Sequence, residues 1–199
     1  MLLAVSFAFA ATAPDSAWST SVLVLLQSAN LVVALWTSGL ARAGAWYTVG
    51  FLGIAVVLAV AGLVWQGPNL AAALGLVSAG MTLAIAVVIA FTVIQRGEVN
   101  RQSITGAICI YVLLGMVFMF AYGAMATLGD GYFFAQGTDG TRALRLYFSY
   151  VTLVTLGYGD YTASGNLGHA LAVLEALIGQ LYLVTVVALL VARVRPARD

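Results

Sequence analysis

The chain has 199 residues, of which 63% are hydrophobic and only 8% are charged. Because a soluble domain averages roughly a quarter charged residues, this composition indicates a protein of the lipid bilayer. A formal net charge of +1 argues against a nucleic-acid partner, and one cysteine with one histidine excludes an intrachain disulfide and a histidine cluster for a metal ion.

Several apolar runs are long enough to cross a bilayer, whose core takes about 20 residues of helix. They are Ala17–Thr37, Ala45–Trp65, Leu70–Ile94, Ile104–Leu128 and Asn166–Ala192. The shorter stretch Met1–Ala13 lacks the basic start of a signal peptide. We interpret it as the C-terminal part of a first spanning helix, with a signal segment as the alternative. The sequence therefore predicts an all-α membrane protein with about six transmembrane helices.

Arginine placement predicts the orientation of these helices. If six helices cross the bilayer, one side receives the arginines at positions 42, 96, 101, 193, 195 and 198. Cytoplasmic loops carry an excess of basic residues, so this side, which includes the C-terminus, is predicted to be cytoplasmic. The opposite loops carry most of the acidic residues, among them Asp15, Asp130, Asp139 and Asp160. We expect a multi-pass protein of the plasma membrane.

A polar segment with the sequence TLGYGD separates the last two apolar runs at residues 155–160. Irregular backbone at membrane depth is tolerated only where it is buried in protein or lines an aqueous path. A ring of backbone carbonyls on such a segment can replace the hydration shell of a cation. Gly157 and Gly159 allow the alternating backbone handedness that L-residues resist. We therefore interpret this segment as an ion selectivity filter that faces outside.

A half-length helix, the pore helix, is predicted directly before the filter over Arg142–Val154, with Thr141 or Asp139 as its N-cap. At 1.5 Å per residue such a helix is about 20 Å long and reaches only part-way through the bilayer. The partial negative charge at its C-terminus would stabilise a cation below the filter.

The last apolar run contains one carboxyl group, Glu175. A charged carboxylate in mid-membrane costs about 2.5–3.5 kcal/mol even on lenient scales. We therefore expect Glu175 to be protonated or hydrogen-bonded, for example to the pore-helix hydroxyl of Ser149 or Thr152. A structural strut is the favoured role, and a proton sensor is the alternative.

Residues 141–192 resemble the pore domain of the tetrameric potassium channel superfamily. The family filter is Thr-Val-Gly-Tyr-Gly-Asp, and this chain has Leu156 in place of the valine. Over roughly residues 1–192 the chain is similar to members with six helices and one pore loop. The resemblance implies a voltage-sensor-like or scaffold domain at residues 1–100 and a pore domain at residues 101–199. It also implies a homotetramer among membrane lipids, with the re-entrant pore helix and filter between helices five and six.

The resemblance further implies roles for single residues. Potassium ions, with no other cofactor, would be bound by Thr155, Leu156, Gly157, Tyr158 and Gly159. Asp160 and Tyr147 lie where the family has a hydrogen bond that holds the filter open. Gly179 lies where many members have a hinge glycine in the inner helix. Gln180 would be a polar residue of the cavity below the filter, and interhelical hydrogen bonding is its alternative role.

The predicted function is passive, potassium-selective conduction, without catalysis and without a soluble ligand domain in the chain. Strong voltage gating is not expected, because Leu70–Ile94 contains no charged residue. Two alternatives stay open: a subunit of a potassium uptake transporter, and a membrane sensor with a vestigial pore. Arginine without lysine is typical of a GC-rich bacterial source, and thus of a prokaryotic channel.

Overall fold

The computed structural model describes residues 1–38, 68–96 and 101–193, together with the single residues Gly53, Val57 and Val60. Over these ranges the chain folds into the helices α1 (Leu2–Thr12), α2 (Ala17–Ser38), α3 (Pro68–Arg96), α4 (Arg101–Leu128), α5 (Arg142–Leu153) and α6 (Gly165–Arg193). The β-structure found among them consists of isolated bridges. The predicted all-α class is confirmed for this part of the chain.

Four of these helices are long and apolar enough to cross a membrane. The candidate spans are Trp18–Ser38, Ala73–Gln95, Ser103–Leu128 and Gly165–Val186, and they agree with four of the predicted runs. The predicted run Ala45–Trp65 lies outside the described residues, apart from the three single positions. Helix α1 is about 16 Å long at 1.5 Å per residue, roughly half the thickness of a bilayer core.

Helices α2, α3 and α4 pack side by side around a buried apolar cluster. Its members are Val24, Leu31, Leu74, Met81, Ile85, Ala86 and Leu113. Polar contacts also join the helices, because Gln27 Nε2 of α2 donates to Thr82 Oγ1 of α3 at 2.9 Å. Buried polar groups at membrane depth need such partners. Apolar packing and this hydrogen bond therefore both hold the three helices together.

Helix α1 packs against α2 and against the half-length helix α5. The shared core contains Ala10, Leu23, Met116, Met119, Phe120 and Leu146. In the same region the ring of Phe7 meets that of Tyr150 edge-on, with centroids 5.6 Å apart and an interplanar angle of 83°. The N-terminal helix therefore supports α5 directly.

The loop between α4 and α5 pairs with the segment that follows the filter. Phe134 forms antiparallel bridges to Thr138 and Ala163, and Ala135 N donates to Thr162 O at 2.9 Å. Beneath this loop lies an aromatic cluster of Phe118, Tyr122, Phe133, Phe134 and Phe148. Together these contacts fix the position of the chain just beyond residue 160.

Candidate functional site

Helix α5 (Arg142–Leu153) is one residue shorter than predicted. Of the two predicted N-caps, Thr141 has this role, because its Oγ1 accepts from Leu144 N at 3.2 Å. Asp139 Oδ1 instead accepts from Phe133 N at 2.9 Å and orders the preceding loop. The helix is about 18 Å long at 1.5 Å per residue, so the predicted half-length helix is present, and its re-entrant placement in a bilayer stays a prediction.

The backbone after α5 alternates in handedness. The dihedral angle φ is +55° at Thr155, +56° at Gly157 and +78° at Gly159, and it is not positive at the two residues between them. Only glycine takes positive φ without a steric penalty. The two glycines therefore stand at positions where the backbone requires them, as the sequence predicted.

Thr155 is the strained position of this segment. Positive φ in a β-branched residue is a genuine outlier, and such strain costs about 1–3 kcal/mol unless the surroundings hold it. Here Thr155 N donates to Thr152 O at 2.9 Å, and Thr155 Oγ1 accepts from Gln180 Nε2 at 3.0 Å. Thr155 is thus tied to α6 through Gln180, whose predicted place in a cavity stays a prediction.

The C-terminal end of the segment, residues 158–160, is held against α5. Tyr147 OH donates to Asp160 Oδ2 at 2.8 Å, which is the hydrogen bond implied by the resemblance. The ring of Tyr147 also stacks on the ring of Tyr158, with centroids 6.5 Å apart and planes 5° from parallel. Hydrogen bond and stacking together hold both ends of the stretch 158–160 to one helix.

Helix α6 touches the C-terminal end of α5 at Gly179. A Cβ atom added there would overlap Leu153 O, which is main chain and cannot move aside easily. The glycine is therefore a close-packing position between the two helices. Its predicted role as a hinge stays a prediction.

Glu175 is fully buried between three helices. Ser149 Oγ of α5 lies 2.5 Å from Glu175 Oε1, so the expected hydrogen bond to a pore-helix hydroxyl is confirmed for Ser149. Tyr122 OH of α4 donates to Glu175 Oε2 at 2.5 Å. We did not predict this second partner, although a tyrosine in an apolar run usually needs an acceptor for its hydroxyl.

A second connection missed by sequence reasoning joins the turn between α1 and α2 to the start of α5. Arg142 N donates to Asp15 Oδ2 at 2.7 Å, and the Asp15 carboxylate lies 3.6 Å from the guanidinium groups of both Arg142 and Arg145. Arg142 Nη2 also donates to Thr20 Oγ1 at 2.8 Å. The N-terminal helices are thereby attached to the pore helix.

The charges of this connection offset one another. Two arginines near a helix N-terminus oppose the helix dipole, whereas a carboxylate there is favourable. Burial lowers the pKa of Arg142 and Arg145 below its usual range, and the negative charge of Asp15 opposes this shift. The negative charge of Asp15 thus offsets the repulsion between the two arginines and the helix dipole. It also offsets part of the cost of burying their positive charges.

Comparison with known proteins bears on the C-terminal part of the chain. Residues 144–195 match a family model described as an ion channel. The matched segment contains most of α5, residues 155–159 with their alternating backbone, and all of α6. No curated protein and no solved structure matches the chain. The family match and the four long apolar helices support an ion channel and indicate a multi-pass membrane protein.

Proposed function

We propose that this chain is the subunit of a homotetrameric potassium channel that conducts potassium passively across the plasma membrane. The proposal rests chiefly on the left-handed φ angles of Thr155, Gly157 and Gly159 directly after a half-length helix. Alternating handedness lets successive carbonyl groups point toward the same side of a strand. Such carbonyls can take the place of the water around a dehydrated cation.

The residue types of the segment favour potassium over divalent cations. Calcium and magnesium sites use carboxylate ligands and, for magnesium, retained water. Residues 155–159 contain no charged side chain, and Asp160 follows only at the outer end, where it accepts from Tyr147. Neutral carbonyl dipoles, together with the C-terminal end of α5 below them, suit a weakly hydrated monovalent cation.

Several copies are needed to surround an ion. Residues 154–160 are all exposed in the single chain, so one copy can offer its carbonyls from one side only. Helix α6 also presents apolar side chains outward, among them Leu174, Leu177, Leu181 and Val184. In the proposed tetramer these side chains meet neighbouring subunits, the cavity or lipid, and four copies of Thr155–Gly159 form the filter.

The proposed orientation places the filter on the extracellular side of the membrane. Asp130, Asp139 and Asp160 belong to loops on the filter side of α4 and α6, and the C-terminal arginines follow the other end of α6. This arrangement accords with an excess of basic residues on the cytoplasmic side. A prokaryotic source is proposed on composition alone.

Reversal potentials in liposomes that contain the purified protein, under opposed potassium and sodium gradients, test this function. Gly157→Ala is the informative variant and Gly137→Ala is its matched control. Both glycines have positive φ, +56° and +75°, and open space where a Cβ would lie. Each alanine therefore adds a similar strain of about 1–2 kcal/mol, but only Gly157 belongs to the proposed filter.

We expect wild type and Gly137→Ala to reverse near the potassium equilibrium potential, and Gly157→Ala to lose the selective current. A wild-type current that does not distinguish potassium from sodium would contradict the proposal. So would a selective current of full size in Gly157→Ala, since the current would then arise elsewhere.

A further inference from the structure

The hydrogen atoms around Glu175 can be counted. Ser149 Oγ lies 2.5 Å from Glu175 Oε1 and 2.8 Å from Gly115 O of α4. A carbonyl oxygen only accepts, and a serine hydroxyl carries one hydrogen. Ser149 can therefore donate to Gly115 O or to Glu175, but not to both at once.

One protonation state satisfies all of these contacts. If Ser149 donates to Gly115 O, the hydrogen between Ser149 and Glu175 must belong to Glu175 Oε1. Tyr122 OH then donates to Oε2, the carbonyl oxygen of the acid. With an ionised Glu175, Ser149 would have to donate to the carboxylate, and its Oγ would face Gly115 O without a hydrogen between them.

The surrounding charges agree with a neutral acid. The two ion pairs found among the described residues join Arg142 and Arg145 to Asp15, so neither neutralises Glu175. The phenols of Tyr111, Tyr122 and Tyr150 lie close enough to Glu175 to feel the charge of its carboxylate. Phenols are uncharged at neutral pH. A buried carboxylate without a cation is strongly disfavoured.

We infer that Glu175 is a neutral carboxylic acid that donates to Ser149, accepts from Tyr122 and joins α4, α5 and α6 behind the filter segment. It is a positioning residue: it fixes α5 one turn before that helix ends and does not contact the conducted ion. Its proton is part of this hydrogen-bond arrangement, so we assign it a structural role and not that of a proton sensor. The inference does not depend on which ion passes through the protein.

Infrared spectroscopy of the purified protein in lipid tests the protonation state directly. A protonated carboxylic acid has a carbonyl stretching band well separated from that of a carboxylate, and exchange into heavy water shifts it. The chain has two glutamates, Glu98 and Glu175, so Glu98→Gln is the matched control for Glu175→Gln. We expect the band at neutral pH in wild type and Glu98→Gln, and its loss in Glu175→Gln.

A wild-type spectrum without this band at neutral pH, or a band that persists in Glu175→Gln, would overturn the inference. Tyr122→Phe provides a second measurement if Glu175→Gln does not fold. It removes the donor to Oε2, so the band must move to higher frequency, and an unchanged band overturns the assignment.

The positioning role has its own readout. A glutamine can donate to Ser149 and accept from Tyr122, whereas leucine at the same place can do neither. We expect Glu175→Gln to keep the wild-type unfolding temperature and to give a current with the wild-type response to pH. We expect Glu175→Leu to have a lower unfolding temperature and a smaller current. A pH response that changes in Glu175→Gln would show instead that the acid senses protons.

Discussion

Asp15 binds the first residue of the pore helix, Arg142, which lies 127 positions further along the chain. Its Oδ2 accepts from Arg142 N at 2.7 Å, and its carboxylate also lies between the guanidinium groups of Arg142 and Arg145. Because α5 carries the filter segment at its other end, the turn between α1 and α2 contributes to the placement of that segment. The turn between α1 and α2 is therefore in direct contact with the helix that precedes residues 155–160.

Asp15→Ala is expected to lower the free energy of unfolding by about 1–3 kcal/mol, because it leaves the Arg142 N–H without its acceptor and two arginines without their carboxylate partner. Asp15→Asn keeps an acceptor oxygen and should lose less. Thermal unfolding of the purified protein measures the difference. Asp130→Ala is the control, since Asp130 is exposed in the loop between α4 and α5. Equal losses in Asp15→Ala and Asp130→Ala would contradict the role of Asp15.

Tyr147→Phe removes the hydrogen bond to Asp160 but keeps the ring that stacks on Tyr158. The outer end of the filter segment then loses one of its two attachments, so we expect a smaller potassium current per reconstituted protein. Since Asp160→Ala removes the same bond, the double variant should be no worse than the more severe single one. Tyr132→Phe, at an exposed tyrosine of the outer loop, serves as the control. Additive losses would indicate that the two residues act independently.

Gly179→Ala introduces a methyl group into the contact between α6 and Leu153 O. Overpacking of this kind typically costs about 1–3 kcal/mol, and the shift it forces on α5 should also reduce current. Gly80→Ala is a matched change in a helix, because a Cβ at Gly80 meets nothing within 4 Å. It should be neutral or stabilise the protein by up to about 1 kcal/mol. Equal unfolding temperatures of the two variants would show that Gly179 is not closely packed.

The conductance–voltage relation is expected to be shallow. Each charge moved across the membrane field is worth about 2.3 kcal/mol per 100 mV, and Leu70–Ile94, which lies within α3, contains no charged residue. Currents recorded in symmetric potassium over a wide voltage range measure the steepness. A steep sigmoid would mean that charges elsewhere in the chain move through the field.

Local signals made much of the pore region predictable. The hydroxyl of Thr141 caps α5 by accepting from the backbone N–H of Leu144, only three residues later in the chain. Gly157 and Gly159 occur at the two-residue spacing that an alternating backbone needs. The bond between Ser149 and Glu175 followed from the cost of an isolated carboxylate in a membrane. In each case the physical requirement lies within one residue or one short segment.

The partners contributed by distant parts of the chain could not be predicted in this way. Tyr122 lies 53 positions from Glu175, and Asp15 lies 127 positions from Arg142. No periodicity or spacing links such pairs, since their contact depends on how α1, α4 and α6 pack around α5. The partner of Gln180 likewise depends on the placement of α6 beside Thr155.

A density map of the assembled protein in potassium tests the central claim most directly. The account predicts four copies around one axis, with the main chain of residues 155–159 lining that axis and ion density between successive carbonyl rings. An assembly without fourfold symmetry, or a fourfold assembly whose axis at these residues contains no ion density, would contradict it.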